Sequence, residues 1–149
     1  MAMHTWFECK IRYEKVMENG MQKKVTEPYL VDALSFTEAE ARIIEEMTPF
    51  ISGEFTVSDI KRANYSELFP SDEESADRWF KCKLIFITLD EKSGAEKKTS
   101  TQVLVQAADL RDAVKKLDEG MKGTMADYQI GMVSETPLMD VYPYSAGPN

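Results

Sequence analysis

Trp6-Phe7-Glu8-Cys9-Lys10-Ile11-Arg12-Tyr13 returns 73 residues later as Trp79-Phe80-Lys81-Cys82-Lys83-Leu84-Ile85-Phe86. Further along, Tyr29-Leu30-Val31-Asp32-Ala33 matches Val103-Leu104-Val105-Gln106-Ala107 at an offset of 74, and Ser35-Phe36-Thr37-Glu38-Ala39 matches Asp109-Leu110-Arg111-Asp112-Ala113. Leu68-Phe69-Pro70 matches Val141-Tyr142-Pro143, again at 73. Four matches in one order point to a duplicated unit. The one-residue change of offset falls in the turn between the first two matches, where an insertion is cheap.

Each half reads β-β-α-β. Phe7, Cys9, Ile11 and Tyr13 alternate with Glu8, Lys10, Arg12 and Glu14, the period of a half-buried strand over about 6–16. Asn19-Gly20 signals a hairpin. A second strand follows over about 23–32. A two-residue Asn19-Gly20 loop sets Tyr29 and Val31 on the Trp6 face, and a one-residue slip sets them with Phe7. Ser35 with Glu38 is a capping box. The helix it opens carries Phe36, Ala39, Ile43 and Met47 on one face and ends before Pro49 and Gly53. A last strand is expected near 54–62, with Tyr65–Phe69 continuing it. The second half repeats the plan: strands at about 78–89, 99–107 and 127–135, and a helix opened by Asp109 with Leu110, Ala113, Val114, Leu117 and Met121 on one face. The expected fold is α+β, two tandem ββαβ repeats with mostly antiparallel sheets, forming a pseudo-dimer. The expected boundaries are 1–70, an acidic linker 71–77, 78–143, and a loose tail 144–149.

One helix covers one sheet face, and the other face needs a cover too. Trp79, Ile85, Ile87 and Leu89 share the helix-free parity of one strand. At roughly 25 cal/mol per Å² of apolar surface, leaving them wet forfeits several kcal/mol. The sequence therefore predicts buried helix-free faces, by packing of the repeats or as a homo-oligomer.

The 149 residues carry a formal charge of −8, from 18 basic and 26 acidic side chains. Half of that excess sits in Ser71–Asp77, which has four acids and no base. An acidic chain lacks the basic field that general nucleic-acid binding needs. No apolar run approaches a membrane span, and no signal-peptide core opens the chain, so a cytoplasmic location is expected. His4 is the one histidine, and Cys9 and Cys82 are the two cysteines. No zinc-ligand spacing or phosphate-binding glycine motif occurs, and no metal or cofactor is expected. The cysteines read as small core residues, and a disulfide between them is not expected in a reducing cytosol.

Trp6, Lys10 and Arg12 share one strand face, as do Trp79, Lys81 and Lys83. Indoles beside cations can stack on a base and pair with a phosphate, which makes these six the candidate ligand-binding residues. They also suit packing anchors with snorkelling lysines. Lys23-Lys24 and Lys97-Lys98 either catch phosphates or discourage edge pairing. The helix starts carry their own acids, against a phosphate site there.

The Trp6-Phe7-x-Cys9-Lys10 opening, Glu27-Pro28-Tyr29-Leu30-Val31-Asp32-Ala33 and Ser35-Phe36-Thr37-Glu38-Ala39-Glu40 resemble an uncharacterised domain-of-unknown-function family of Bacteroides-type bacteria and their phages, to about Pro143. The resemblance implies a small phage or prophage protein and carries over no activity. The favoured reading is a non-enzymatic protein that sequesters a small anionic, nucleotide-like ligand in counter-defence, in the host cytoplasm. The alternative is a module that binds a host protein through the acidic segment 71–77 and Tyr142-Pro143-Tyr144. An enzyme is disfavoured by the single terminal histidine.

Overall fold

The structure, a computed structural model, describes residues 5–124 and 126–143. Its elements are β1 (Trp6–Val16), β2 (Gln22–Asp32), α1 (Phe36–Met47), β3 (Phe55–Ala63), β4 (Glu67–Phe69), β5 (Arg78–Leu89), β6 (Glu96–Ala107), α2 (Leu110–Gly120), β7 (Asp127–Glu135) and β8 (Asp140–Tyr142). The fold is α+β, with mostly antiparallel pairing. The eight strands form two four-stranded sheets, β3-β1-β2-β8 and β4-β6-β5-β7.

Each sheet borrows its short parallel strand from the other half of the sequence. Leu30 of β2 lies beside Val141, and Leu104 of β6 lies beside Leu68. The chain accordingly divides into unit 1, residues 1–64 with 137–149, and unit 2, residues 65–136. The expected boundaries of 1–70 and 78–143 place 65–70 and 137–143 in the opposite units. Glu67-Leu68-Phe69 and Asp140-Val141-Tyr142 share one pattern, acid then aliphatic then aromatic.

Segment 71–77 is not a free solvated linker. The Ser71 N–H donates to Gln106 Oε1 at 2.9 Å, Lys116 Nζ donates to Ser71 Oγ at 3.1 Å, and Lys116 pairs with Glu73 at 3.4 Å. Ala76 is buried. One of the segment's four acids, Glu73, supplies a partner of that helix cation, while Asp72, Glu74 and Asp77 are exposed. Arg42 holds the matching position on α1, donating to the carbonyls of Asp32 and Pro143. Each cation thus holds down the chain just after a borrowed strand.

In unit 1, Phe7, Cys9, Ile11 and Val31 pack under Ala39, Ile43 and Met47 of α1. In unit 2, Phe80, Cys82, Leu84, Val103 and Val105 pack under Ala113, Leu117 and Met121 of α2. Both caps form as read: Ser35 Oγ accepts from the Glu38 N–H at 3.1 Å and Asp109 Oδ1 from the Asp112 N–H at 2.8 Å. The back-bond reaches one residue further than in a capping box, since Glu38 accepts from the Leu34 N–H and Asp112 from the Ala108 N–H.

Phe7 stands opposite Val31, which places Val31 and Tyr29 with the α1 core. The turn sets this register. Gly20 N–H donates to the Met17 carbonyl and Met17 N–H to the Met21 carbonyl, leaving a three-residue loop with Gly20 at φ 81°. That is a type I turn completed by a left-handed glycine. The second hairpin closes Asp90 on Ala95 around four residues, with Gly94 at φ 69°. The extra loop residue accounts for the step from offset 73 to 74.

On the helix-free faces, burial holds at the starts of β1 and β5 and beside them near the ends of β2 and β6, at Trp6, Leu30 and Val141 in unit 1 and at Trp79 and Leu104 in unit 2. It fades along the strands: Arg12 and Lys83 are exposed, Ile85 and Ile87 are half-buried, and Leu89 is exposed. The expectation of full cover therefore holds for only part of each face. His4 and the tail 144–149 lie outside the described residues.

Candidate functional site

β1 is longer than its neighbour β3. Their last rung is Tyr13 opposite Phe55, and β1 runs on through Glu14, Lys15 and Val16 into the hairpin. The hairpin arm therefore stands free of β3, beside the loop that joins α1 to β3. Between them lies a groove of about 1050 Å³, lined among others by Arg12, Tyr13, Lys24, Phe50, Ile51 and Phe55. Small-molecule sites typically measure roughly 300–1,000 Å³. Phe50 is 77% exposed at its mouth. Glu14 and Glu54 also line it, with Glu14 opposite Lys24 across the hairpin. Arg12 and Lys24 form no ion pair among the described residues.

Behind Tyr13, which lines the groove, lies a polar cluster. Tyr13 donates its hydroxyl to Glu27 Oε1 at 2.8 Å, Tyr29 does so at 3.5 Å, and Lys15 pairs with Glu27 Oε2 at 3.6 Å. Tyr142 of β8 stacks on Tyr29 with centroids 6.2 Å apart. Burial, then the hydrogen bond and charge of Glu27, pushes Tyr13 up to about 12. Burial and the Glu27 charge push Tyr29 up to about 12. Burial, with Asp140 beside it, pushes Tyr142 up to about 12. Tyr13 and Tyr29 act as hydrogen-bond donors to Glu27, while Tyr142 contributes its ring.

Of the six residues read as ligand-binding, Arg12 alone lines this groove. Trp6 and Trp79 are 3% and 5% exposed, so neither indole has an open face for stacking. Lys10 and Lys81 are half-buried and Lys83 is exposed. Trp6 and Arg12 share a face but stand six residues apart, roughly 20 Å at about 3.3 Å per residue. The strand pattern puts these side chains on one face without bringing them round one cavity. The packing reading describes the indoles better.

Lys23, Lys24, Lys97 and Lys98 are exposed on the stretches of β2 and β6 that the short strands leave bare. Cys9 and Cys82 are free and buried, and burial pushes the thiols up to about 12 and about 11. Neither is poised as a nucleophile. Among the described residues no group of three or more His, Cys, Asp or Glu could hold a metal ion, and no helix is long and apolar enough to cross a membrane.

Sequence reasoning missed Phe50 and the Glu27 cluster. Phe50 lies in a loop without periodicity. The cluster had a signal, because Tyr13, Glu27, Tyr29 and Tyr142 align with Phe86, Thr101, Val103 and Phe69 in the other half.

The chain is a small α+β protein of two units, each with one four-stranded sheet. It belongs to a family described as a domain of unknown function (DUF4494), whose family model matches residues 5–144. No curated protein and no solved structure matches the chain.

Proposed function

We propose that the protein is a non-enzymatic binding protein that takes a small anionic, nucleotide-like ligand in the groove of unit 1. The groove carries the reading: its lining holds Arg12 and Lys24, neither in an ion pair among the described residues, and the exposed ring of Phe50. Guanidinium and ammonium groups suit phosphate oxygens, and a ring at the mouth suits a base. Tyr13, which lines the groove, is pushed up to about 12 by burial, away from the range that suits acid–base chemistry near neutrality. The setting we attach to it, a phage counter-defence sponge in a host cytoplasm, rests on the resemblance alone. We also read the two units as products of a tandem duplication forming a pseudo-dimer. The matching registers support this: Cys9 lies between Tyr29 and Ile60 as Cys82 lies between Val103 and Val133, with a bulge after Lys10 and after Lys83.

A second reading, a module that docks on a host protein, draws on the exposed Val16, Met17 and Met21, which share the hairpin arm beside Phe50. Isothermal titration of the full chain against cyclic nucleotides and ADP-ribose derivatives decides between them. Saturable binding that falls at least tenfold in Arg12→Ala and in Phe50→Ala, each still folded by circular dichroism, is the expected result. No heat across the panel overturns the ligand reading. A host protein captured by the full chain and lost with Met21→Ser and Phe50→Ser then selects the second.

A further inference from the structure

A strand at the edge of a sheet offers a row of unpaired backbone donors and acceptors, and soluble proteins guard such rows with charge, proline or brevity. Three of the long edge stretches here are guarded. β3 carries Asp59, Lys61 and Arg62, the bare part of β2 carries Lys23, Lys24 and Pro28, and the bare part of β6 carries Lys97 and Lys98. β7 is the outer strand of its sheet and pairs with β5 alone. From Tyr128 to Ser134 it has no charge and no proline. Its bulge at Gly131 has a counterpart at Ser58 of β3, so the bulge is common to both edges and the missing charge is particular to β7.

The side chains agree with the backbone. Ile130 and Met132 are 37% and 40% exposed. A Cβ at Gly131 would lie 2.9 Å from Ile85 Cδ1, so Ile85 rests across the bulge. Ile85 is half-buried and on the same sheet face as Met132, so the apolar strip runs from the edge onto the helix-free face.

We infer that β7 pairs with β7 of a second copy of this chain, antiparallel about a two-fold axis, joining two four-stranded sheets into one of eight strands. Charge selects the second copy. A strand paired to its own copy about Met132 sets Glu135 opposite Gln129 and no charge opposite a like charge, whereas the neutral strip offers a foreign charged strand nothing to match. The rest of the acidic surface is screened beyond about 8 Å at physiological salt, so a short neutral seam can close.

Sedimentation velocity of the full chain over roughly 1–100 μM tests this. The expected result is a concentration-dependent species of twice 17.0 kDa. Met132→Lys and Ile130→Lys should each return it to a single chain, and Ser58→Lys on the β3 edge should leave it double. Should the lysine variants not fold, amide exchange of the unmodified protein gives the same answer: 128–134 gains protection as concentration rises and 55–63 does not. A single chain throughout that range, or a double one indifferent to both lysines on β7, overturns the proposal.

Discussion

Unit 1 and unit 2 lay the same strands in the same order, yet they differ at one corner. Where unit 2 packs Phe86, Val103 and Phe69 against its core, unit 1 has Tyr13, Tyr29 and Tyr142. Where unit 2 has Thr101 opposite Leu84, unit 1 has Glu27 opposite Ile11. The hydroxyls and the carboxylate occur together in unit 1. Without the tyrosines Glu27 would keep only Lys15 at 3.6 Å, and without Glu27 the Tyr13 and Tyr29 hydroxyls would lose their acceptor. The corner borders the groove that Arg12, Tyr13 and Phe50 line. The frame is shared, and the polar corner is what unit 1 adds to it.

The largest test asks whether the frame is shared in energy as well as in register. Ile43→Ala and Leu117→Ala remove matching, fully buried side chains. Each should cost about 2–5 kcal/mol in urea denaturation. A severe loss in one unit with little in the other breaks the comparison.

Alkaline titration separates the units next. Tyr13, Tyr29 and Tyr142 sit at about 12 when folded, above the ordinary 10.0. The folded state favours their neutral form, so this contribution is complete below pH 10.0 and is lost as the pH climbs towards about 12. Phenolate absorbance should show Tyr13, Tyr29 and Tyr142 ionising late, alongside Tyr128 of unit 2, which burial and Asp118 also push up, and Tyr→Phe at each of the three should remove one late ionisation. Titration of all the tyrosines together near 10 would dissolve the cluster.

The smallest effect comes from exchanging the corners. Glu27→Thr installs the residue of unit 2 and leaves the Tyr13 hydroxyl without its 2.8 Å partner, at a cost of about 1–2 kcal/mol in urea denaturation. In that variant Tyr13 should ionise closer to its ordinary value. A Tyr13 unmoved by the exchange would show that burial alone sets it.

Much of the frame was legible because periodicity and capping act locally. Cys9 and Ile11 alternate with charged residues, and Ser35 and Asp109 stand where an N-cap must. Even the inserted loop residue could be placed, since it changes the offset between two strand matches. The borrowed strands were not legible. β4 and β8 are three residues each and carry one pattern, so nothing local says which sheet either joins. The first hairpin register was also open, because Asn-Gly fits both a two-residue turn and the three-residue loop with Gly20 left-handed. At the candidate site, Arg12 was legible as an exposed cation on a strand. The burial of Trp6 and Trp79 was not, since a strand with lysine or arginine beside tryptophan reads the same whether the ring is wet or packed. Phe50 became visible only when the loop was set beside the hairpin arm.

The borrowed strands also impose an order of events on the ribosome. Unit 1 cannot receive β8 until Asp140–Tyr142 has been synthesised. At about 5–20 residues per second, the stretch beyond Pro70 takes on the order of 4–14 s. Through that wait the whole outer side of β2 is an unpaired edge, along which Lys23, Lys24 and Pro28 are the residues of the kind that discourage strand addition. Residues that look like idle surface charge in the finished protein thus suit an earlier need, at its own birth.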